Sequence, residues 1–328
     1  MTQHKASWLP LCAAVVGALV AGVHQGCSRT ALTGRPLEQL AARKASTPQV
    51  CTLVSGVAST QRHVVVEGGG LDGAQLPITS HLVKAHGYLF LVDAGLVGEA
   101  QRPGMSVPIE AVMGFHGSTS ALVARQLAEA GIPPARLDFI ALTHAHLDHA
   151  GELEAFPGVP VVMAPEELEW INSLPATARD LTTWRREGDW NAMQGRIRPL
   201  RWTADPGLPN GKGMDLFGDG SVVFMHTPGH TPGSMSILLA GPGTAGTLLL
   251  GDVTLSSQHV RQALHKGPLG NMLDEDRDTA WKTVNAVHAY TKPHPEWDLR
   301  PAHDELLLRH RYAFAACAKA MLASAAGR

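Results

Sequence analysis

The sequence predicts an α/β fold in which two sheets lie between helices on both outer faces. Two observations lead there. Strand and helix signals recur in the same order, sheet then helix, in the two halves of the chain, without a tandem short-period repeat. The 328 residues, 45% of them hydrophobic, also supply ample material for a layered core.

In chain order, "CTLVSGVA" from Cys51 and "HVVVEGG" from His63 are β-branched runs punctuated by glycine and read as strands. "HLVKAHGYLFLVDAG" predicts two strands joined by a turn at His86 and Gly87. "SALVARQLAEAGI", Ser120 to Ile132, has helical spacing, with Ser118 or Ser120 as cap and Gly131 as stop. "LDFIAL" makes a short buried strand that delivers Thr143, and "PVVMA" makes another. Between Pro165 and Met193, "EELEWI" and "DLTTWRREGDW" predict helices whose tryptophans pack down as a flap. "SVVFMH", "MSILLA" and "TLLLGDV" are three short strands, followed by a polar loop, a helix over "DTAWKTVNAVHAY" and a last segment, "WDLRPAHD".

Ahead of this body, Trp8 to Val23 is uncharged and apolar. At 1.5 Å per residue it spans about 24 Å as a helix, short of the roughly 30 Å of a bilayer core. Residues 1–27 therefore predict an export signal, which places the mature protein in the periplasm or tethered to a membrane. Cys27, after Gly26, is a candidate lipid acceptor. Residues 28–49 show no sustained strand period and read as a linker or a short marginal helix, leaving 50–328 as one domain that a chain starting near Thr47 should retain whole. Cys51 and Cys317 are the body's two cysteines. Outside any C-x-x-C pair, they read as buried free thiols, with a mutual disulfide as the alternative that export permits. A net charge of −2 with scattered Lys and Arg excludes a phosphate-tracking surface and favours a small-molecule substrate over nucleic acid.

Seventeen histidines against three tyrosines raise the prospect of metal chemistry. "THAHLDHAG" concentrates it. His144 and His146 leave a strand end two residues apart and can converge on one point, while Asp148 and His149 reach a second point nearby. His230 in "HTPGHTPGS", Asp252 in "LLLGDV" and His303 in "RPAHD" each follow an apolar run at a strand end, where a rigid scaffold presents groups to a cleft. One carboxylate among five histidines suits a bridge between two cations. Imidazole and carboxylate without thiolate suit zinc, and iron or manganese fit the same donors.

"HAHLDH", "PGHTPGS", "GD" and "AHD" in this order, from about Val50 to Arg309, resemble the metallo-β-lactamase superfamily, closest in pattern to N-acyl-homoserine lactonases. The resemblance implies an αββα sandwich of two mixed sheets with a metal site at one edge. It also implies His144, His146 and His230 on one divalent ion, Asp148, His149 and His303 on the other, and Asp252 bridging. The bridge separates this chain from true β-lactamases and implies a dinuclear hydrolase of a small ester or lactone. Its nucleophile would be a metal-bridging hydroxide, which Asp148 orients. A glyoxalase-II-like thioesterase, a β-lactamase and an iron-dependent persulfide dioxygenase are the alternatives on the same ligands. The chain departs from lactonases at Leu255, where they often carry tyrosine.

Other residues carry weaker signals. Asp93 reads as a hydrogen-bonding support for the ligand loops, and Gly229 and Gly233 as backbone necessities of the ligand turn. His226 reads as bonded to a nearby carbonyl rather than to substrate, and Asp304 as a neighbour that either orients a ligand or faces solvent. His116 reads as a residue of a glycine-rich loop with substrate contact as the alternative, and Trp170, Trp184 and Trp190 as packing aromatics with the pocket mouth as the alternative.

Overall fold

The structure, a computed structural model, describes residues 32–96, 115–117, 121–175, 193, 195–268 and 270–323. The leader with Cys27, Ser118, Ser120, and the "DLTTWRREGDW" segment with Trp184 and Trp190 lie outside the described residues. None of the described helices is long and apolar enough to cross a membrane.

β1 (Gln49–Gln61) and β2 (Gly73–Ala85) pair antiparallel, and β3 (Tyr88–Val92) returns along β2. The predicted turn joins β2 to β3, with φ of 49° at His86 and 83° at Gly87, the left-handed pair that a two-residue hairpin needs. β4 (Phe115–Gly117) lines the outer side of β1. β5 (Phe139–Ala141), β6 (Val161–Met163) and β7 (Ile197–Pro199) extend parallel from β3, giving the order β4-β1-β2-β3-β5-β6-β7.

The second sheet contains β8 (Thr203–Ala204), β9 (Lys212–Asp215), β10 (Val222–His226), β11 (Met235–Leu239), β12 (Thr247–Gly251) and β13 (Asp298–Pro301). Its order is the reverse of the chain, β13 to β8, and only β12 and β13 run parallel.

Why these strands stack follows from their two-residue period. Phe90, Val92, Phe139, Ala141 and Val162 from the first sheet meet Phe224, Ile237, Leu239 and Leu249 from the second in one core, where the Phe90 and Phe139 rings stack. The alternate residues Leu89, Leu91, Ile140 and Val161 face the other way, under helices. Likewise Met225, Leu238, Leu248 and Leu250 face outward from the second sheet. Strands apolar on both faces must be covered on both faces.

The helices are α1 (Arg62–Val65), α2 (Val123–Glu129), α3 (Leu147–Ala150), α4 (Pro165–Ser173), α5 (Ser257–Gln262), α6 (Arg277–Thr291) and α7 (Phe314–Ala323). α2, α4 and α7 cover the first sheet, and α5 and α6 the second. This is the αββα sandwich expected.

Several details differ from expectation. "HVVVEGG" is not a strand: β1 ends at Gln61, and the chain reverses through α1, where Val64 and Val65 bury against Leu76 and Leu255. Tertiary packing overrides the β-branched preference. α2 is shorter than predicted and has no side-chain cap of its own. The distant Glu152 carboxylate caps it instead, accepting from the N–H groups of Val123 at 2.7 Å and Ala124 at 3.0 Å.

Cys51 and Cys317 are disulfide-bonded rather than free, their Cα atoms 5.8 Å apart across 266 residues. α7 lies against the same apolar cluster that buries Cys51, so helix packing brings the two together. Such a juxtaposition is invisible in the spacing.

The stretch read as a linker is, over its described part, held against the body. Leu32 is buried, the Leu37 N–H donates to the Pro199 carbonyl at 2.8 Å, Leu40 donates to Leu216 at 2.8 Å, and the Arg43 guanidinium sits 3.8 Å from the Tyr88 ring centroid. A chain starting at Thr47 is therefore expected to be less stable than one starting at Leu32. Exposing the apolar surface under Leu32, Leu37 and Leu40 costs about 3 kcal/mol, or roughly 6–12 °C in Tm. Thermal denaturation of the two chains checks this, and equal Tm values would mean the segment contributes nothing.

Candidate metal centre

Four strand ends converge at one edge of the sandwich. β5 runs out through Thr143 into His144 and His146, and α3 then carries Asp148 and His149. β10 leads through a tight turn to His230, β12 delivers Asp252 as the next residue, and β13 delivers His303. The structure thus brings all seven sequence-predicted side chains together. Six are buried and His146 is half-buried.

Three overlapping groups form, each with donor atoms within 4.8 Å of one another: His144, His146 and His230; His144, His149 and Asp252; Asp148, His149 and His303. The first group is compact, with its three rings edge to face at centroid distances of 4.7 Å and His146 Nδ1 2.9 Å from His230 Nε2. Asp252 lies between the groups. Its Oδ1 is 3.3 Å from His149 Nε2, and its Oδ2 is 3.1 Å from His303 Nε2 and 3.4 Å from His230 Nε2. Asp148 Oδ2 stands 3.3 Å from His303 Nε2.

The inward nitrogens are selected from behind. His149 Nδ1 donates to Asp93 at 2.8 Å, His230 Nδ1 to Asp274 at 2.9 Å and His303 Nδ1 to the Pro77 carbonyl at 2.9 Å, so each ring turns Nε2 toward the centre. Asp93, itself at φ 58°, also accepts from the Thr143 N–H at 2.7 Å and hydroxyl at 2.8 Å. It therefore supports the ligand loop as predicted.

Glu167, on α4, is the main group the sequence reading missed. Fully buried, it accepts from the Ala145 N–H at 2.6 Å, the Thr231 hydroxyl at 2.6 Å and the Gly233 N–H at 3.2 Å, joining the two loops that carry His144, His146 and His230. Close approach explains the glycines of that turn. A Cβ on Gly233 would stand 2.1 Å from the Glu167 nitrogen, and one on Gly229 2.3 Å from Ala280.

Electrostatics divide the centre. Burial, reinforced by neighbouring histidines, pushes His144 well below its usual range and His146 down to about 3, so both offer neutral lone pairs. Burial also acts against charge on His149 and His303, but Asp252 with Asp148, and Asp93 at His149, outweighs it and raises both. Burial would raise the Asp148 and Asp252 carboxyls, yet the adjacent histidines hold both below the usual carboxylate range. The carboxylates thus favour positive charge at His149 and His303, while His144 and His146 stay neutral.

A divalent cation fits the donors. His144 Nε2, His149 Nε2 and Asp252 Oδ1 are buried without a hydrogen-bond partner, and each such atom costs about 1–3 kcal/mol. Coordination by imidazole nitrogen and carboxylate oxygen removes that cost.

The remaining candidates fall around this core. His226 Nε2 donates to the Pro232 carbonyl at 2.9 Å, and Trp170 packs edge-on to His146 at 5.7 Å. Buried Asp304 accepts from Ser257 at 2.7 Å and Leu306 at 3.0 Å, fixing the chain just after His303. Leu255 is buried in the apolar cluster with Val64, Val65 and Leu76. The side chain of His116, on β4, lies outside the described part.

An αββα sandwich whose strand ends gather imidazoles and carboxylates at one edge has the architecture of a metal-centre protein. Comparison with known proteins supplies the family. The chain belongs to the metallo-beta-lactamase superfamily, whose model matches residues 73–297.

Among its relatives, the N-acyl homoserine lactonase AttM of Rhizobium radiobacter is 27% identical over 175 residues, 52% of this chain and 59% of that protein. The chain thus spans less than two thirds of that relative's length. Among solved structures, an N-acyl homoserine lactone hydrolase with N-hexanoyl-L-homoserine bound at its catalytic metal centre superposes with a TM-score of 0.63 at 16% identity, covering 81% of this chain and 96% of that one. The dizinc quorum-quenching lactonase AidC, in complex with its product, gives 0.54 at 15% identity, covering 82% and 90%. At these identities the structural matches show the fold.

Proposed function

We propose that the protein is a dinuclear metal-dependent hydrolase of small esters or lactones. The observation that carries this reading is the position of Asp252, whose two oxygens reach into both halves of the cluster. His144, His146 and His230 would hold one cation, Asp148, His149 and His303 the other, and Asp252 would contact both. Two divalent cations held there, zinc in the first instance, would supply Lewis acidity toward a carbonyl oxygen and a hydroxide at neutral pH. The chain's residues do the rest. Asp148, fixed beside His303, orients the attacking oxygen and carries its proton toward the departing alkoxide. Asp93, Asp274 and Glu167 hold the ligands so that no reorganisation accompanies the reaction. The lactonase activity named for relatives such as AttM supports an ester or lactone as substrate.

The substrate class is narrowed by where the tyrosines stand. All three tyrosines are described and serve elsewhere: Tyr88 donates to the Ala41 carbonyl, Tyr290 packs on Trp297, and Tyr312 is 90% exposed. With Leu255 buried among aliphatic side chains, no phenol is available to bond a substrate carbonyl. Simple lactones or aryl esters are therefore expected to turn over with higher kcat/KM than penicillins or carbapenems, and N-acyl homoserine lactones only modestly. Activity should vanish with a chelator and return with zinc. Faster β-lactam hydrolysis under matched metal loading would overturn the substrate assignment, and an iron-loaded protein consuming oxygen with a persulfide would overturn the reaction class.

We also propose export, with the mature protein periplasmic or membrane-tethered. The Cys51–Cys317 disulfide supports it, because such bonds persist in oxidising compartments. Mass spectrometry of the mature N-terminus distinguishes cleavage, a lipid on Cys27 and a retained leader, and the last outcome, with the protein in the cytosolic fraction, would refute export.

A further inference from the structure

A buried ammonium stands beside a centre built to hold cations. Lys266, 5% exposed, lies in the segment between α5 and α6, and its Nζ donates to the Asp252 main-chain oxygen at 2.8 Å and to Asp274 Oδ1 at 2.5 Å. That same Asp274 oxygen accepts from His230 Nδ1 at 2.9 Å, and His230 Nε2 faces Asp252 Oδ2 at 3.4 Å. The contacts close a ring: Asp252 main chain, Lys266, Asp274, His230, Asp252 side chain. We propose that Lys266 is a positioning residue that, through this ring, fixes His230 and Asp252 relative to one another and so sets the spacing of the two cation positions. The proposal rests on the dinuclear reading above.

The energetics require some such return. Removing an ammonium from water is costly, and repulsion from divalent ions bound nearby would add to it. A methionine would fill much the same volume without either penalty. What it could not do is donate at once to oxygens on two separate segments. Because one Asp274 oxygen accepts hydrogen bonds from both Lys266 and His230, the carboxylate has little freedom to rotate, and the imidazole is held with it. The supporting segment is itself anchored. The Glu275 N–H donates to the His230 carbonyl at 3.1 Å, Asp276 donates to Gly229 at 3.0 Å, Glu67 donates to the His265 carbonyl at 3.2 Å, and the Asn271 amide donates to the Lys266 carbonyl at 2.9 Å. Lys266 therefore pushes from a fixed base.

The test uses Lys266→Met, Lys266→Gln and Asp274→Asn, with cobalt(II) titrated into the metal-free full-length chain. The readouts are stoichiometry, affinity and the visible spectrum. Wild type should take up two equivalents. Lys266→Met, with an unchanged far-UV circular dichroism spectrum, is expected to bind one of the two about 10–100-fold more weakly, with shifted cobalt bands and a fall in kcat that exceeds any change in KM. Lys266→Gln, which keeps a donor, should recover part of the loss. If Lys266→Met does not fold, Asp274→Asn decides, because it keeps the side-chain shape and loses the charged brace, and the same weakening is expected. Two equivalents bound with wild-type affinity and spectrum in the deciding variant would overturn the proposal while leaving the hydrolase reading intact. Fewer than two in wild type would overturn the dinuclear reading, and this proposal with it.

Discussion

Replacing Asp252 by alanine is expected to lower kcat/KM for the best ester or lactone by at least about a thousandfold, near 4 kcal/mol of transition-state stabilisation, and to leave at most one tightly held cation. The size follows from the position. Among the described residues Asp252 is the one carboxylate whose oxygens lie within 3.4 Å of histidines from both halves of the cluster. On the dinuclear reading proposed above, its loss would remove an oxygen from each cation position and the negative charge that opposes repulsion between them. His146→Ala should also abolish turnover, but by a different route, since it removes one nitrogen from the three-histidine group alone.

Metal analysis of the purified variants separates the cases. Asp252→Ala should disturb both sites, and His146→Ala mainly one. Near-wild-type turnover in Asp252→Ala with two equivalents of metal bound would rule out the bridging role.

The centre was legible in the sequence because its chemistry is local. "HAHLDH" places four donors within six positions, and the other three stand where an apolar strand run stops at a small residue or proline. Strand ends need no long-range information to be recognised. The layered fold was legible for a related reason: strands such as "YLFLV" and "TLLLG" are apolar on both faces and demand cover on both.

Groups that work at a distance left no such trace. Glu167 and Thr231 meet across 64 residues, His230 and Asp274 across 44, and Cys51 and Cys317 across 266. Each is an ordinary residue in an ordinary local context, and Glu167 in "PEELEW" looks like the solvated first turn of a helix. "HVVVEGG" misled in the opposite sense, because its β-branched composition is real but is spent on packing a reversal against Leu255.

Glu167→Ala is the variant that tests how far the centre depends on such a distant group. Three donors from two ligand loops, the Ala145 N–H, the Gly233 N–H and the Thr231 hydroxyl, would lose their acceptor in a fully buried place. At about 1–3 kcal/mol for each buried donor left unpaired, with the Thr231 hydroxyl able to donate instead to the Ser234 hydroxyl already 2.9 Å away, the expected loss of stability is about 3–5 kcal/mol. That corresponds to a fall in Tm of roughly 6–20 °C. The metal effect should be selective. His144, His146 and His230 sit on the two loops that Glu167 joins, whereas His149 is tied to Asp93 and His303 to Pro77. One cation should therefore weaken by about 10–100-fold while the other is nearly unchanged. Glu167→Gln should fall between, because its amide oxygen still accepts but its NH2 faces a donor. Differential scanning calorimetry of the metal-free proteins and competition for zinc against a chromophoric chelator measure the two effects separately. A large fall in Tm with both zinc affinities unchanged would make Glu167 a support of the fold alone. Equal weakening of both cations would mean that the two halves of the cluster are not held independently.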